Sequence, residues 1–186
     1  MSTPPTFLSD WARLWQLAER VASRTREEPD HVFMPVGLRL QDPAQARGWD
    51  YDSTPINVTT FASTGGDGVH FSVVNVNDGN GVWPVVMTVP MAFDCPNTIV
   101  GGDLREFLAL GCRTGYLYLE RLAYGWGRQA SIAGLEAGTP PEDAEEAVLL
   151  RHLGEEFDLR PWRNVHGRLG ELDAAHRPSL QLRPGA

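Results

Sequence analysis

Apolar residues recur at every second position through the middle of the chain, a period that predicts β-strands. The apolar runs occupy residues 57–62, 69–75 and 82–90, and polar, glycine-rich segments separate them at residues 63–68 and 77–81. Glycine, asparagine and aspartate supply the positive φ angles that tight chain reversals need. The pattern therefore predicts an antiparallel meander of strands.

A short helix is predicted directly after the meander. Asp103 is a typical N-cap residue, and Glu106 three positions later completes a pattern similar to a capping box. Phe107 and its apolar neighbours form the stripe that would face a core, and Gly111 suits the C-terminal cap. Residues 100–102, just before this helix, are predicted to be a loop.

The N-terminal third shows the 3.6-residue period of an amphipathic helix after a polar, proline-rich arm. We expect the arm to cover residues 1–7 and the helix to begin at an N-cap formed by Ser9. Residues 32–40 are predicted to form an irregular strand, because Pro35 cannot donate a hydrogen bond to a neighbouring strand. Residues 42–55 are predicted to be a loop.

The C-terminal half is predicted to be mainly helical. Apolar spacing predicts one helix at residues 116–124 and an irregular link at residues 128–138. A second helix is predicted from a cap at Thr139 to about Phe157, because proline and acidic residues follow the threonine. A basic extension, residues 159–186, comes after this helix.

We expect the extension to fold back onto the acidic helix that precedes it. Trp162 and its apolar neighbours would supply most of the docking energy, since exposed ion pairs contribute only about 0–1 kcal/mol each. The end of the chain from Arg177 is expected to be mobile. These expectations divide the chain into one domain, residues 1–158 with its core at residues 57–124, and the extension.

The amino-acid composition and net charge exclude several classes of function. The net charge of −8 argues against non-specific nucleic-acid binding, which depends on neutralising phosphates. All basic side chains are arginines, so Schiff-base lysine chemistry and the usual P-loop lysine are excluded. The N-terminus lacks the pattern of a signal peptide, and the longest apolar run is too short to span a bilayer. A cytoplasmic location without a membrane anchor is the resulting expectation.

Several polar residues are candidates for chemistry. The glycine-rich segment at residues 63–68 lacks the spacing of a phosphate-binding loop, which favours a turn. Asp67, His70, Asp94 and Cys95 fall near predicted strand ends, where ligand pockets often form. They define one hypothesis, a small-molecule-binding or hydrolase-like domain. The other interpretation is a solvated imidazole and a core thiol, and it is favoured because no HExxH, GxSxG or paired metal-ligand motif is present. We therefore predict no catalytic residue, metal or cofactor.

The order of the central elements resembles the SUKH superfamily, the Smi–Knr-like proteins. The matching features are a strand with a Gly-Asp turn, FASTGGDGVHF at residues 61–71, an apolar strand, WPVVMTV at residues 83–89, and an FxxFL-type helix, DLREFL at residues 103–108. The resemblance covers about a third of the chain. It does not extend to the segment before residue 57 or beyond about residue 125.

The resemblance implies an α+β fold, with a curved, mostly antiparallel sheet and helices packed mainly on one side. It also implies a non-enzymatic, protein-binding role of the bacterial immunity or adaptor type, in which a toxin is neutralised by direct contact. An acidic surface would steer such a protein toward a basic toxin. A homodimer stays open as well.

Candidate contact residues combine aromatic and acidic side chains. Aromatic residues on the connection before the meander are either recognition residues or plugs that pin the loop, and the second interpretation is favoured. The acidic start of the last predicted helix is a further candidate contact. The predicted binding residues are Trp49, Tyr51, Asp67, His70, Trp83, Glu142, Asp143 and Glu146.

Overall fold

The computed structural model describes residues 5–46, 48–75 and 82–183. Within them the chain forms an antiparallel sheet in which consecutive strands are neighbours. Its strands are β1 (Arg39–Leu40), β2 (Val58–Ser63), β3 (His70–Val74), β4 (Val85–Thr88) and β5 (Asn97–Gly101). This open sheet with its helices is an α+β fold, so the predicted fold class is confirmed. The turn predicted at residues 77–81 lies outside the described residues.

Helices surround the sheet. The α-helices in the described part of the chain are α1 (Pro5–Thr25), α2 (Leu104–Gly111), α3 (Arg128–Ala137), α4 (Ala144–Phe157) and α5 (Val165–His176). Short 3-10 helices connect them at Met34–Val36, Pro43–Gln45, Leu117–Ala123 and Arg177–Ser179. The first helix therefore begins before Ser9, and Phe7, which was assigned to the arm, is buried in it.

Two predictions about strands were wrong. Residues 32–36 form turns and a 3-10 helix instead of a strand. Gly37 adopts a left-handed φ of 86° and ends this helix. Only the two residues of β1 form a strand in this segment. Strand β5 was missed. It lies at the edge of the sheet beside β4, and its residues Asn97 and Thr98 are buried although they are polar. Buried polar positions give no alternating signal, so the period alone could not find it.

Helix boundaries in the C-terminal half also differ from the prediction. Residues 128–137, expected to be an irregular link, form α3. Helix α4 is capped at its N-terminus by Asp143 rather than by Thr139. The Asp143 carboxylate accepts hydrogen bonds from the backbone N–H groups of Glu145 and Glu146 at 2.8 and 3.1 Å. The predicted N-cap at Asp103 is confirmed, with Glu106 N–H donating at 2.7 Å.

The main hydrophobic core lies on one face of the sheet, beneath α1 and α2. Phe107 of α2 is fully buried at its centre, with its ring 5.6 Å from Phe61, 4.8 Å from Phe71 and 5.2 Å from Tyr116 between centroids. The Tyr116 hydroxyl donates to the Leu108 carbonyl at 2.7 Å. Burial of large aromatic rings with their polar ends paired makes this face the main source of stability.

The C-terminal extension packs elsewhere than predicted. Helix α5 contacts chiefly β5 and α3, and its Leu172 joins an apolar cluster with Val74, Val86 and Ile99 on the sheet face opposite the main core. The expected docking of the extension on α4 is therefore wrong. The apolar side of α5 packs against apolar side chains, because this removes apolar area from water. The acidic residues of α4 offer no such apolar surface.

The last described residues hold defined contacts. The side chain of Asn57 donates to the Ser179 carbonyl at 2.9 Å and accepts from the Gln181 backbone N–H at 2.9 Å. The Ile56 N–H donates to the Gln181 carbonyl at 2.8 Å, and Arg183 pairs with Asp50. These bonds tie the extension to the loop before β2. The mobility expected from Arg177 onward stays a prediction.

Candidate functional site

His70 begins β3 on the sheet face opposite the main core and is fully buried. Its Nδ1 lies 2.8 Å from the Gly68 carbonyl and its Nε2 lies 3.1 Å from the Thr54 hydroxyl. Because a carbonyl only accepts, Nδ1 carries the proton and Nε2 accepts from Thr54. Burial lowers the pKa of His70, against a smaller opposing effect of the Gly68 carbonyl.

The expectation of a solvated imidazole is therefore wrong. The loop before β2 covers His70, and sequence periodicity cannot show that a distant loop folds over a sheet face. With both ring nitrogens engaged inside the fold, this histidine has no free nitrogen for acid–base chemistry or metal binding.

Two aromatic residues of that loop stack on the imidazole. The Trp49 ring lies 5.1 Å from His70 and 5.9 Å from Tyr51 between centroids, and Tyr51 lies 6.0 Å from His70, all with interplanar angles of 22° or less. We call these three residues the aromatic ridge. Trp49 is half-buried and Tyr51 is exposed. The rings thus fix the loop to the sheet and also present an aromatic surface to solvent. Both interpretations of these residues, as anchors of the loop and as recognition residues, are compatible with this arrangement.

The ridge depends on Gly68. This glycine has a φ of 71°, and a Cβ placed on it would lie 2.7 Å from the Tyr51 hydroxyl oxygen. A residue with a side chain is disfavoured at position 68 for two reasons: the positive φ angle, and the contact that its Cβ would make with Tyr51. The glycine-rich segment at residues 63–68 is thus a turn that seats Tyr51.

An open groove of about 1130 Å³ runs between α1, β1 and the ridge. We call it the acidic groove, because the carboxylate-bearing residues in its lining outnumber the guanidinium-bearing ones among the residues that the structure describes. Its charged lining residues are Glu28, Asp30, Asp42, Asp50 and Arg39. The indoles of Trp15 and Trp49 also line it. Carboxylates beside aromatic rings suit a cationic side chain.

Asp67 lies on the other side of the same turn, near Glu120 and Tyr124. Burial raises the pKa of Glu120, and the negative charge of Asp67 raises it further. Tyr124 stacks on Trp126 at 5.5 Å, and Trp126 is 78% exposed. Arg121 lies over the Tyr118 ring at 4.6 Å.

Large exposed side chains cluster around this side of the turn. A Cβ on Gly65 would contact the Met34 side chain, and the backbone of Leu117 lies against Gly37, three residues after Met34. We call the group the exposed aromatic patch; its exposed members are Met34, Leu117, Tyr118 and Trp126, and the half-buried Tyr124 stacks on Trp126. Sequence reasoning missed it. One available signal was Trp126, a tryptophan between two glycines and outside any periodic apolar stripe.

The remaining predicted contact residues do not line the groove. Trp83 is half-buried against the main core, and its indole N–H has no hydrogen-bond partner within the described residues. Asp143 is engaged as the cap of α4, with Glu142 exposed and Glu146 half-buried beside it. The acidic start of α4 is thus a separate surface feature.

Asp94 and Cys95 line a pocket of about 640 Å³, which we call the C-terminal pocket because residues 177–182 form one wall. The Cys95 thiol lies 3.7 Å from the Asn97 carbonyl and 3.7 Å from Arg177 Nη2. Both cysteines are free thiols. Neither Asp67 nor His70 lines this pocket. The structure therefore does not assemble the four residues of the hydrolase-like hypothesis into one site.

One group in the described part of the chain could place three ligand atoms around a metal. Carboxylate oxygens of Glu28 and Asp30 and a ring nitrogen of His31 lie within 4.8 Å of one another. Asp30 also pairs with Arg39 at 3.3 Å. A carboxylate shared with a guanidinium is a weaker metal ligand, so the geometry favours an ion-pair cluster at the rim of the groove.

Comparisons with known proteins supply no relative. No family model, no curated protein and no solved structure matches this chain. Across the described residues, every helix is too short or too polar to cross a bilayer.

Proposed function

We propose that this chain is a non-enzymatic protein-binding module whose partner is basic. The observation that carries the proposal is the acidic groove, where carboxylates outnumber cations beside two indole rings. In the SUKH-like immunity or adaptor role, the partner would be a toxin that is neutralised by direct contact. A cytoplasmic location would suit this role.

Aromatic and arginine residues carry most of the energy in protein interfaces, and carboxylates set specificity and association rate. The exposed aromatic patch adds such anchors next to the glycine turn, with Trp126 78% exposed. Clustered exposed apolar side chains are typical of interaction surfaces. The net charge of −8 would attract a basic protein over a distance and repel acidic ones.

The enzymatic alternative has weaker support. His70 uses both nitrogens inside the fold, and Asp67 faces Glu120 rather than the pocket that holds Cys95. A nucleophile and its base need to come within about 3 Å of each other, directly or through one water. The contacts of these residues favour separate structural roles.

The test begins with the tagged full chain, used to capture partners from the source cell, and identifies them by mass spectrometry. Affinity for the purified partner is then measured by calorimetry at increasing salt. We expect a basic partner whose affinity falls with salt. Trp126→Ala and the pair Glu28→Gln/Asp50→Asn should each weaken binding by roughly tenfold or more.

The matched control is Glu145→Gln/Glu155→Gln, which removes two exposed carboxylates from α4. This pair should leave the affinity within about twofold, the range of a rim charge. Loss of binding only in the α4 variant would reject the groove as the contact surface. Absence of any specific partner, or an acidic partner that binds independently of salt, would reject the proposal as a whole. If the partner is a toxin, co-expression should restore growth of the host cell.

A further inference from the structure

The surface around the C-terminal pocket exposes a second group of large apolar side chains. Phe93 on the β4–β5 connection is 82% exposed, and Met91 on the same connection is exposed too. Ile56 and Leu182 are also exposed and lie close together, since the Ile56 N–H bonds to the carbonyl of Gln181. Such a cluster on one face indicates an interaction surface.

This surface holds both a projecting ring and a cavity that could receive one. Phe93 stands at the rim of the C-terminal pocket, whose walls include Tyr51, Pro90, Pro96 and Leu180. The volume of about 640 Å³ exceeds that of a phenyl side chain. An isologous dimer interface requires that one patch be complementary to itself. The Phe93 ring beside the C-terminal pocket meets that requirement, because the ring of one copy can enter the pocket of the other.

The charges of the pocket are also complementary to themselves. Asp94 has no ion-pair partner within the described residues, although it lines the same pocket as Arg177. The Arg177 guanidinium is held in place by Asp173 at 2.7 Å and by the Asn97 carbonyl at 3.1 Å. A two-fold axis through this surface would set each acid against the base of the other copy. Two equivalent ion pairs would then flank the two exchanged rings.

We propose that a second copy of this chain occupies the C-terminal pocket. Phe93 of each copy inserts into the pocket of the other, and Asp94 of each copy faces Arg177 of the other. This proposal stands apart from the protein-binding proposal, because it rests on the rim and charges of the pocket and not on the acidic groove.

Sedimentation velocity over a concentration series tests the proposal with the full chain. We expect a dimer at about 100 µM, where an interface with a micromolar Kd is largely populated. Phe93→Ser should give a monomer at the same concentration. It alters an exposed side chain, so the monomer should keep the wild-type circular dichroism spectrum. Trp126→Ser, which removes another exposed aromatic ring, is the matched control and should leave the dimer intact.

A charge exchange gives a second measurement. Asp94→Arg should weaken dimerisation by about tenfold or more, because like charges then face each other. Adding Arg177→Asp in the same chain should restore much of the loss. A wild-type protein that stays monomeric at 100 µM would overturn the proposal. So would a dimer that survives Phe93→Ser, or one that Trp126→Ser dissociates.

Discussion

Opposite faces of the same strands are equally buried but chemically different. On the face beneath α1 and α2, Phe71, Val73 and Met87 are apolar and fully buried. On the opposite face, alternate residues of the same two strands include His70 and Thr88, which are polar and also fully buried. The first face is stabilised by removing apolar area from water, whereas the second combines the apolar cluster of Leu172 with buried polar groups that need hydrogen-bond partners.

The pairing on the polar face links elements that are far apart in sequence. The Thr88 hydroxyl donates to the Asn97 side chain at 2.8 Å, and Asn97 in turn donates to the Ser53 carbonyl at 3.0 Å. Thr54 reaches His70 at 3.1 Å. These bonds seat the loop that carries Trp49 and Tyr51. The hydrogen bonds of the second face thus position the aromatic ridge, a role that the apolar packing of the first face does not have.

The largest expected effect is on the apolar face. Phe107→Ala should lower the free energy of unfolding by about 3–5 kcal/mol, because it leaves a cavity among the rings of Phe61, Phe71 and Tyr116. Urea unfolding measures it. Tyr118→Ala, at an exposed ring, is the control and should cost less than about 1 kcal/mol. A loss below about 2 kcal/mol for Phe107→Ala would place the stabilising core elsewhere.

A double-mutant cycle on the polar face should give an intermediate effect. The hydroxyls of Thr60 and Ser72 are 2.8 Å apart and buried. Thr60→Val or Ser72→Ala alone leaves an unpaired buried hydroxyl and should cost about 1–3 kcal/mol. The double variant should cost clearly less than the sum, with a coupling of at least about 0.5 kcal/mol. Additive losses would show that the two faces are stabilised in the same way.

The smallest expected effect is a dependence of stability on pH at His70. The pKa of His70 is lowered by burial from 6.5, so below about pH 6.5 the unfolded chain binds a proton that the folded chain excludes. The contribution of neutral His70 is fully present above 6.5. It is lost as the pH falls from 6.5 toward the lower pKa of the folded state.

Urea unfolding near pH 7.5 and pH 5.5 measures this loss. His70→Asn cannot titrate, so its stability should change less between these two pH values than that of the wild type. Equal slopes for the wild type and His70→Asn would mean that the imidazole is solvated and that the polar face is open.

Features that depend on neighbours in sequence were predicted well. The cap at Asp103 follows from spacing within a single helix and is confirmed. The C-terminal extension shows the limit of such reasoning. Its charge suggested docking on an acidic helix, but the apolar partners of Leu172 lie on the sheet, in strands that precede it by more than 70 residues.

Of the predicted binding residues, Trp49 and Tyr51 line the acidic groove, and the others lie outside it. Gly68 of the glycine turn approaches Tyr51 closely, and the rings of Trp49 and Tyr51 stack on His70. The acidic groove itself could not be predicted from the sequence. Its carboxylates come from a turn, a 3-10 helix cap and a loop that have no common period.

The sequence by itself determined the strands of the meander, the glycine turn and the caps of α2, because these depend on the backbone preferences and spacing of adjacent residues. Only the tertiary structure decided that the second sheet face is covered and that burial beneath Trp49 lowers the pKa of His70. It also decided that α5 packs on β5. These outcomes depend on which distant surfaces can bury apolar area and pair polar groups together, and that is a property of the whole chain rather than of any segment.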